Sequence, residues 1–260
     1  MKTTQNLAAG LVFGILIRAS VAIAQTVLYA DDFNRGDGVT AFRVGKTSVG
    51  DYTWVDPGWH NFKVIDNVLY AVHWSTLSNQ YAYVDYDLST IPDYNASLKL
   101  TTGGAVESGS YAGLFLLPRA VNHDTVLGNR GWVINRNFWD PSGTGGQTRF
   151  YWYEGADTNE FESIQATRID DNQFSATEWQ DVEIRVRGDK ATLIVTQADG
   201  TRLVDADRYI GNYNTTKSVF LFAARTSVGQ NRARSDKPWL NVAMDDFSVS
   251  LQPPTVIIVR

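Results

Sequence analysis

Arg149-Phe-Tyr-Trp-Tyr-Glu154 sets four aromatic rings between an arginine and a glutamate. On a strand these residues divide into two faces, Arg149/Tyr151/Tyr153 and Phe150/Trp152/Glu154. Aromatic rings stack on the flat C–H faces of sugars, and polar neighbours fix the hydroxyls. The same chemistry is offered by Tyr81 and Tyr83 in QYAYVDY, by Trp132 and Asn135 in NRGWVIN, and by Trp54 and Trp59 in DYTWVDPGWH. With aromatics on both faces, register is weakly specified. The expected setting puts Phe150 in the core and Arg149, Tyr151 and Tyr153 along a groove. Trp152 is the groove residue if the register is reversed.

A second chemistry uses the same residue types. β-Elimination from a uronate needs a group that neutralises the carboxylate and a base that removes the C5 proton. The forked guanidinium of Arg suits the first task, Tyr or His the second. His73, Arg119, Arg136, Tyr151 and Tyr153 are the candidates, with His123 beyond a Pro-Arg break. Hydrolysis by paired carboxylates is disfavoured: Glu160 and Glu162 share a strand face with no Asp between them, and Glu154 stands alone.

Residues that act on a polymer need a scaffold, and composition bounds it. The chain has 260 residues, no Cys, three His and a net charge of −5. Lys2, an apolar run from Leu7 to Ile17, and Ala22-x-Ala24 before Gln25 read as an export leader over residues 1–24. Without it the net charge is −7, since Lys2 and Arg18 leave with it. The acidic balance gives no footprint for nucleic acid. The apolar run is too short for an integral membrane segment. The expected location is secreted, periplasmic or extracellular, as a monomer. With no Cys, stability must come from the core or a bound ion.

Short runs rich in aromatic and β-branched residues, bounded by Gly, Asn, Asp or Pro, predict strands at 27–33, 68–74, 80–88, 96–102, 111–119, 131–137 and 148–154. Others fall at 161–168, 179–186, 190–197, 218–225 and 240–251. No helical period is sustained. Trp179 to Asp205 shows the clearest pattern: Val182, Ile184 and Val186 alternate with polar residues, Arg187-Gly-Asp-Lys190 turns the chain, and Leu193 and Val195 alternate again. The expectation is an all-β, two-sheet antiparallel sandwich over residues 25–252, with 253–260 as a C-terminal extension after Pro253-Pro254. Arg-Gly-Asp at 35–37 and 187–189 is ordinary turn chemistry as well as an integrin-type tripeptide. Asn95 and Asn214 begin glycosylation sequons.

The stretch from Trp179 through Asp199-Gly200, with Asp-Asp-Phe at both 31–33 and 245–247, resembles the concanavalin A-like lectin/glucanase superfamily, laminin-G-like domains included. The resemblance implies a jelly roll of two curved sheets whose concave face holds a glycan. It also implies first and last strands lying side by side, pinned by a structural calcium ion, with Asp32 and Asp246 as ligands and Asp31 and Asp245 as alternatives. The alternative for these carboxylates is a set of solvated charges that deter sheet-to-sheet aggregation. The carboxylate-pair strand of the superfamily's retaining glycosidases is absent, and so are the signatures of its alginate lyases.

The function expected is binding of a polysaccharide in an aromatic and arginine groove. The alternatives are a polysaccharide lyase acting on a uronate polymer and a non-catalytic surface or matrix interaction protein.

Overall fold

The computed structural model describes residues 25–35, 45–55, 62–71, 80–101, 111–123, 128–137, 147–154, 178–211, 217–227 and 242–252. Within them the chain forms strands and no helix. One sheet has the order β12-β11-β10-β6-β14-β4-β3, in which β4 is Val68–Ala71, with β1 also pairing β14. The other has the order β2-β5-β13-β7-β8-β9. Every strand pair is antiparallel. The two-sheet antiparallel sandwich expected from the sequence is the fold observed.

The alternation in the sequence places the core. On β10 (Gln180–Arg187), Val182, Ile184 and Val186 are buried, and on β6 (Asp93–Thr101) Tyr94, Ala96, Leu98 and Leu100 are buried beside them. Burial of each such aliphatic or aromatic side chain stabilises by roughly 1.5–3 kcal/mol. β10 turns into β11 (Lys190–Thr196) through Gly188, whose φ of +57° favours glycine. Facing them from the six-stranded sheet are Leu114 and Leu116 of β7 (Tyr111–Ala120), Trp132 and Ile134 of β8 (Arg130–Asn137), and Phe220 and Phe222 of β13 (Val219–Ser227).

The chain ends meet. β1 (Val27–Asp31) runs antiparallel to β14 (Ala243–Leu251), with Asp31 opposite Phe247. Asp31 and Phe247 are both buried, while Asp32 is exposed. The Asp31 carboxylate crosses the sandwich: Trp54 of β2 (Trp54–Val55) donates its indole N–H to Oδ2 at 2.5 Å. Arg35 forks onto both oxygens at 3.0 and 2.5 Å, and the Phe33 amide adds a bond at 2.8 Å. At the far end, Trp132 donates to Oδ2 of buried Asp205 on β12 (Arg202–Tyr209) at 2.9 Å, and Arg208 pairs with Asp205 at 2.8 Å. A buried charge costs several kcal/mol unless paired and hydrogen-bonded. Each aspartate is satisfied by an indole and a guanidinium.

Three strands have no counterpart in the sequence reading: β2, β3 (Phe62–Ile65) and β12. On β12 the buried residue is an aspartate, so apolar alternation does not report it. The strand expected at 161–168 lies outside the described residues.

Two outcomes follow. Asp31→Ala leaves Arg35 and the Trp54 indole without their acceptor and lowers stability by about 3–5 kcal/mol, whereas Asp32→Ala changes it by less than about 0.5 kcal/mol, both read from urea unfolding. Gly131→Ala puts a methyl 2.2 Å from the Leu116 carbonyl oxygen, a backbone atom that cannot step aside. It costs about 1–3 kcal/mol in the same assay.

Candidate functional site

A sheet with one solvated face alternates apolar with polar residues. The six-stranded sheet does not. Its face away from the sandwich core carries a second cluster of Phe115, Leu117, Val133, Val219, Leu221 and Tyr153, all buried. Runs such as Leu114-Phe-Leu-Leu117 and Val219-Phe-Leu-Phe222 are therefore apolar on both sides. At the margin of this face, Tyr81 and Tyr83 of β5 (Gln80–Val84) are half-buried and pack against the cluster. Their rings are near parallel, 13° apart in plane with centroids 6.5 Å apart. The His123 ring lies 5.0 Å from Tyr83. Asp85, next on the same face of the chain, pairs with Lys217.

The edge strand β9 (Gln147–Glu154) takes the expected register. Phe150 and Trp152 are buried in the sandwich core, and Tyr153 packs on the opposite face, edge-on to Phe115 at 5.0 Å. Trp152 stands 4.9 Å from Trp132, is covered by the Arg208 guanidinium at 5.7 Å, and donates to Glu154 at 2.9 Å. Asn135, Arg149 and Tyr151 occupy ladder positions in step with Val133 and Tyr153, since Asn135 pairs with Arg149 and Val133 with Tyr151. Arg136 occupies a position in step with Trp132 and Ile134. The side chains of Asn135, Arg136, Arg149 and Tyr151, and all of Trp59 and His73, lie outside the described residues.

Four expected site residues belong to the core instead. Trp54, Trp132 and Trp152 are 2%, 0% and 3% exposed, packed between the sheets by their large apolar area and tied by their indole N–H groups. Arg119 is 2% exposed and donates to the Gly188 carbonyl of the facing sheet at 2.6 Å, with the Tyr94 ring 6.0 Å away. Burial pushes the Tyr94 phenol well above its usual range, so it stays protonated and donates to the Pro118 carbonyl. Arg119 thus braces the β10–β11 turn.

The same turn absorbs one Arg-Gly-Asp. Arg187 donates to the Tyr94 carbonyl at 3.1 Å and to Asn95 Oδ1 at 2.9 Å. The other tripeptide has its Arg35 on Asp31. Asn95 is held in mid-strand between β10 and β14.

Of the expected calcium ligands, Asp31 is buried, while Asp32, Asp245 and Asp246 lie close enough for the charges of Asp246 and Asp32 to raise the Asp245 carboxyl. Asp31 spends its oxygens on Trp54, Arg35 and the Phe33 amide. Asp246, at a β-bulge with φ +49°, pairs with Lys99 at 2.6 Å. Asp32 Oδ1 accepts the Asn34 amide, and Asp245 Oδ1 the Asp246 amide. Among the described residues no three His, Cys, Asp or Glu side chains converge as a metal site. Among the described residues, the Lys99 ammonium also reaches Asp246 at these strand ends.

No protein-family model matches the chain, and no curated protein does. Solved structures do. A protein of unknown function from Shewanella oneidensis MR-1 aligns over 98% of this chain and 100% of its own, at 13% identity and a TM-score of 0.55, which shows a shared fold. Looser likeness extends to lectins. Lectin I-B4 from Griffonia simplicifolia, in its metal-free form, matches 82% of this chain and 98% of its own at 12% identity and TM-score 0.46. The lectin from Bauhinia forficata, solved with GalNAc, matches 81% and 95% at 10% identity and TM-score 0.47.

Tyr81, Tyr83 and Tyr153 were legible as aromatic positions. His123 was legible only as a loop histidine, and the second apolar cluster showed itself in unbroken apolar runs on β7 and β13. Burial raises the Asp245 carboxyl above its ordinary range, and Asp246 and Asp32 add to the rise. A raised carboxyl disfavours the ionised form in the fold, so its stabilising share is lost as pH rises above the ordinary carboxylate value. Asp245→Asn therefore raises the unfolding midpoint at pH 7, by an amount that shrinks as pH falls through that range. The gain is the same in EDTA and in millimolar calcium. A cation seated there would make the substitution destabilising in calcium, a result thermal unfolding detects.

Proposed function

We propose that this is an exported, monomeric saccharide-binding protein whose site is the Tyr81–Tyr83 margin of the six-stranded sheet, beside the buried outer cluster. One observation carries the reading: two near-parallel, half-exposed tyrosines border a sheet face that is apolar away from the core as well as toward it. Flat apolar ring faces beside polar groups suit the amphipathic surface of a sugar, with Asp85 and Lys217 nearby to meet hydroxyls. The leader-like start and the absence of Cys support export without disulfides.

A second reading has its own observation. The His123 imidazole and the Tyr83 phenol meet at 5.0 Å, a pairing of groups that could remove a C5 proton from a uronate. Arg119, turned into the core, is not available to neutralise the uronate carboxylate, so binding without cleavage is the stronger reading.

Glycan-column retention and ultraviolet absorbance of unsaturated product separate the two. Retention without new absorbance is the expected result. Tyr83→Ala weakens retention about tenfold, equivalent to about 1.4 kcal/mol, and also lowers the unfolding midpoint through lost packing on the outer cluster, so retention is compared well below that midpoint. If no polysaccharide is retained, or the substitution has no effect, saccharide binding at this margin is wrong.

A further inference from the structure

The loop that joins β7 to β8 is tied at its neck by one buried side chain. Strand register shows what the tie has to do. β13 lies between β7 and β5. Ala120, the last residue of β7, is opposite Val219, the first of β13, and Tyr83 of β5 is opposite Leu221. A chain running straight on from Ala120 leaves the sheet with β13 still between it and Tyr83. The His123 ring nevertheless lies 5.0 Å from the Tyr83 ring, tilted by 50°. A bend after Ala120, together with the two side chains, therefore spans two strand spacings, about 10 Å. Val121 is 44% exposed and Asn122 is exposed as well, so burial does little to hold that bend. Asn129, 2% exposed, does hold it. Its carboxamide oxygen accepts the Val121 amide at 3.0 Å and the Asn122 amide at 3.4 Å, and its Nδ2 donates to the Asn122 carbonyl at 2.8 Å.

We infer that Asn129 is a positioning residue for the tyrosine margin, which stations His123 as a third ring beside Tyr81 and Tyr83; this rests on the reading of that margin as the saccharide site. The bonds set the residue type. Two backbone N–H groups need an acceptor and a carbonyl needs a donor, and a carboxamide supplies both from one short side chain. Aspartate accepts but does not donate, and its charge would be buried. Alanine does neither. With the neck released, Val121, Asn122 and His123 regain backbone freedom and the imidazole leaves Tyr83. With the neck tied, the ordering of the loop precedes ligand, and a saccharide laid on Tyr83 meets an imidazole already in place.

Histidine-selective NMR on the full chain reads the position of His123, one of three histidines, whose resonances His123→Ala assigns. Above the imidazole titration range the Tyr83 ring displaces the His123 ring protons, and Tyr83→Leu gives their undisplaced value. Asn129→Ala is expected to bring them to that value. It also weakens glycan-column retention about fivefold, as His123→Ala does, and the two substitutions together weaken it no further. Asn129→Asp, which keeps the acceptor and loses the donor, is read in parallel should the alanine variant fail to fold. An asparagine that merely stabilises the loop would lower the unfolding midpoint and leave the His123 resonances in place. That outcome, or retention losses that add in the double variant, overturns the proposal. If no polysaccharide retains even the unsubstituted chain, the saccharide reading of the margin fails, and the His123 resonances alone decide whether Asn129 positions the ring.

Discussion

Two buried carboxylates, each held by a tryptophan from the facing sheet, are the constraint on which the sandwich depends. Hydrophobic burial brings two sheets together without specifying their relative position. A hydrogen bond from Trp54 to Asp31 at one end and from Trp132 to Asp205 at the other does specify it, because an unpaired ion in the core costs more than the fold can absorb. Each aspartate has an arginine from its own segment, Arg35 and Arg208, so neither carboxylate is left with an uncompensated charge. In a chain without cysteine these two ties do the positional work that disulfides do elsewhere.

The repeated Asp-Asp-Phe takes its meaning from this constraint. The two copies do lie on neighbouring antiparallel strands. They are not equivalent. In the first, Asp31 turns inward to the indole and Asp32 outward to solvent. In the second, a bulge at Asp246 breaks the pairing with β6, Phe247 enters the core, and the acidic side chains face Lys99. Of these acidic residues, one carboxylate is held by a tryptophan and another by a lysine.

The six-stranded sheet is apolar on both faces. Its inward face is committed to the core through Trp132, Phe150, Trp152 and Phe222, and its outward face holds a second apolar cluster with tyrosines at the margin. The aromatic residues that sequence alone offers as one set are thus divided by strand parity. Trp54, Trp132 and Trp152, with the largest area and an N–H that needs a partner, go inward; Tyr81, Tyr83 and Tyr153 go outward. The eight-stranded sheet pairs an apolar inner face with a hydroxyl-rich and charged outer one, the pattern of a solvated sheet.

The strands on β6, β10, β11 and β14, the hairpin at Gly188 and the all-β class were legible because one buried face leaves a period of two that is local to each strand. β12 was hidden because its inward residue is Asp205, whose place is justified by Trp132, from 73 positions earlier in the chain, together with Arg208. The register of β9 could not be read from a run with aromatics on both faces; it was decided by Trp152 meeting Trp132 and Tyr153 meeting Phe115. What the sequence by itself determined is therefore what alternation encodes: which segments extend, where they turn, and that they must stack in two layers. Which aromatic packs in the core, and which aspartate meets a tryptophan, only the tertiary structure decided, because the partner that satisfies each buried polar group comes from a distant strand.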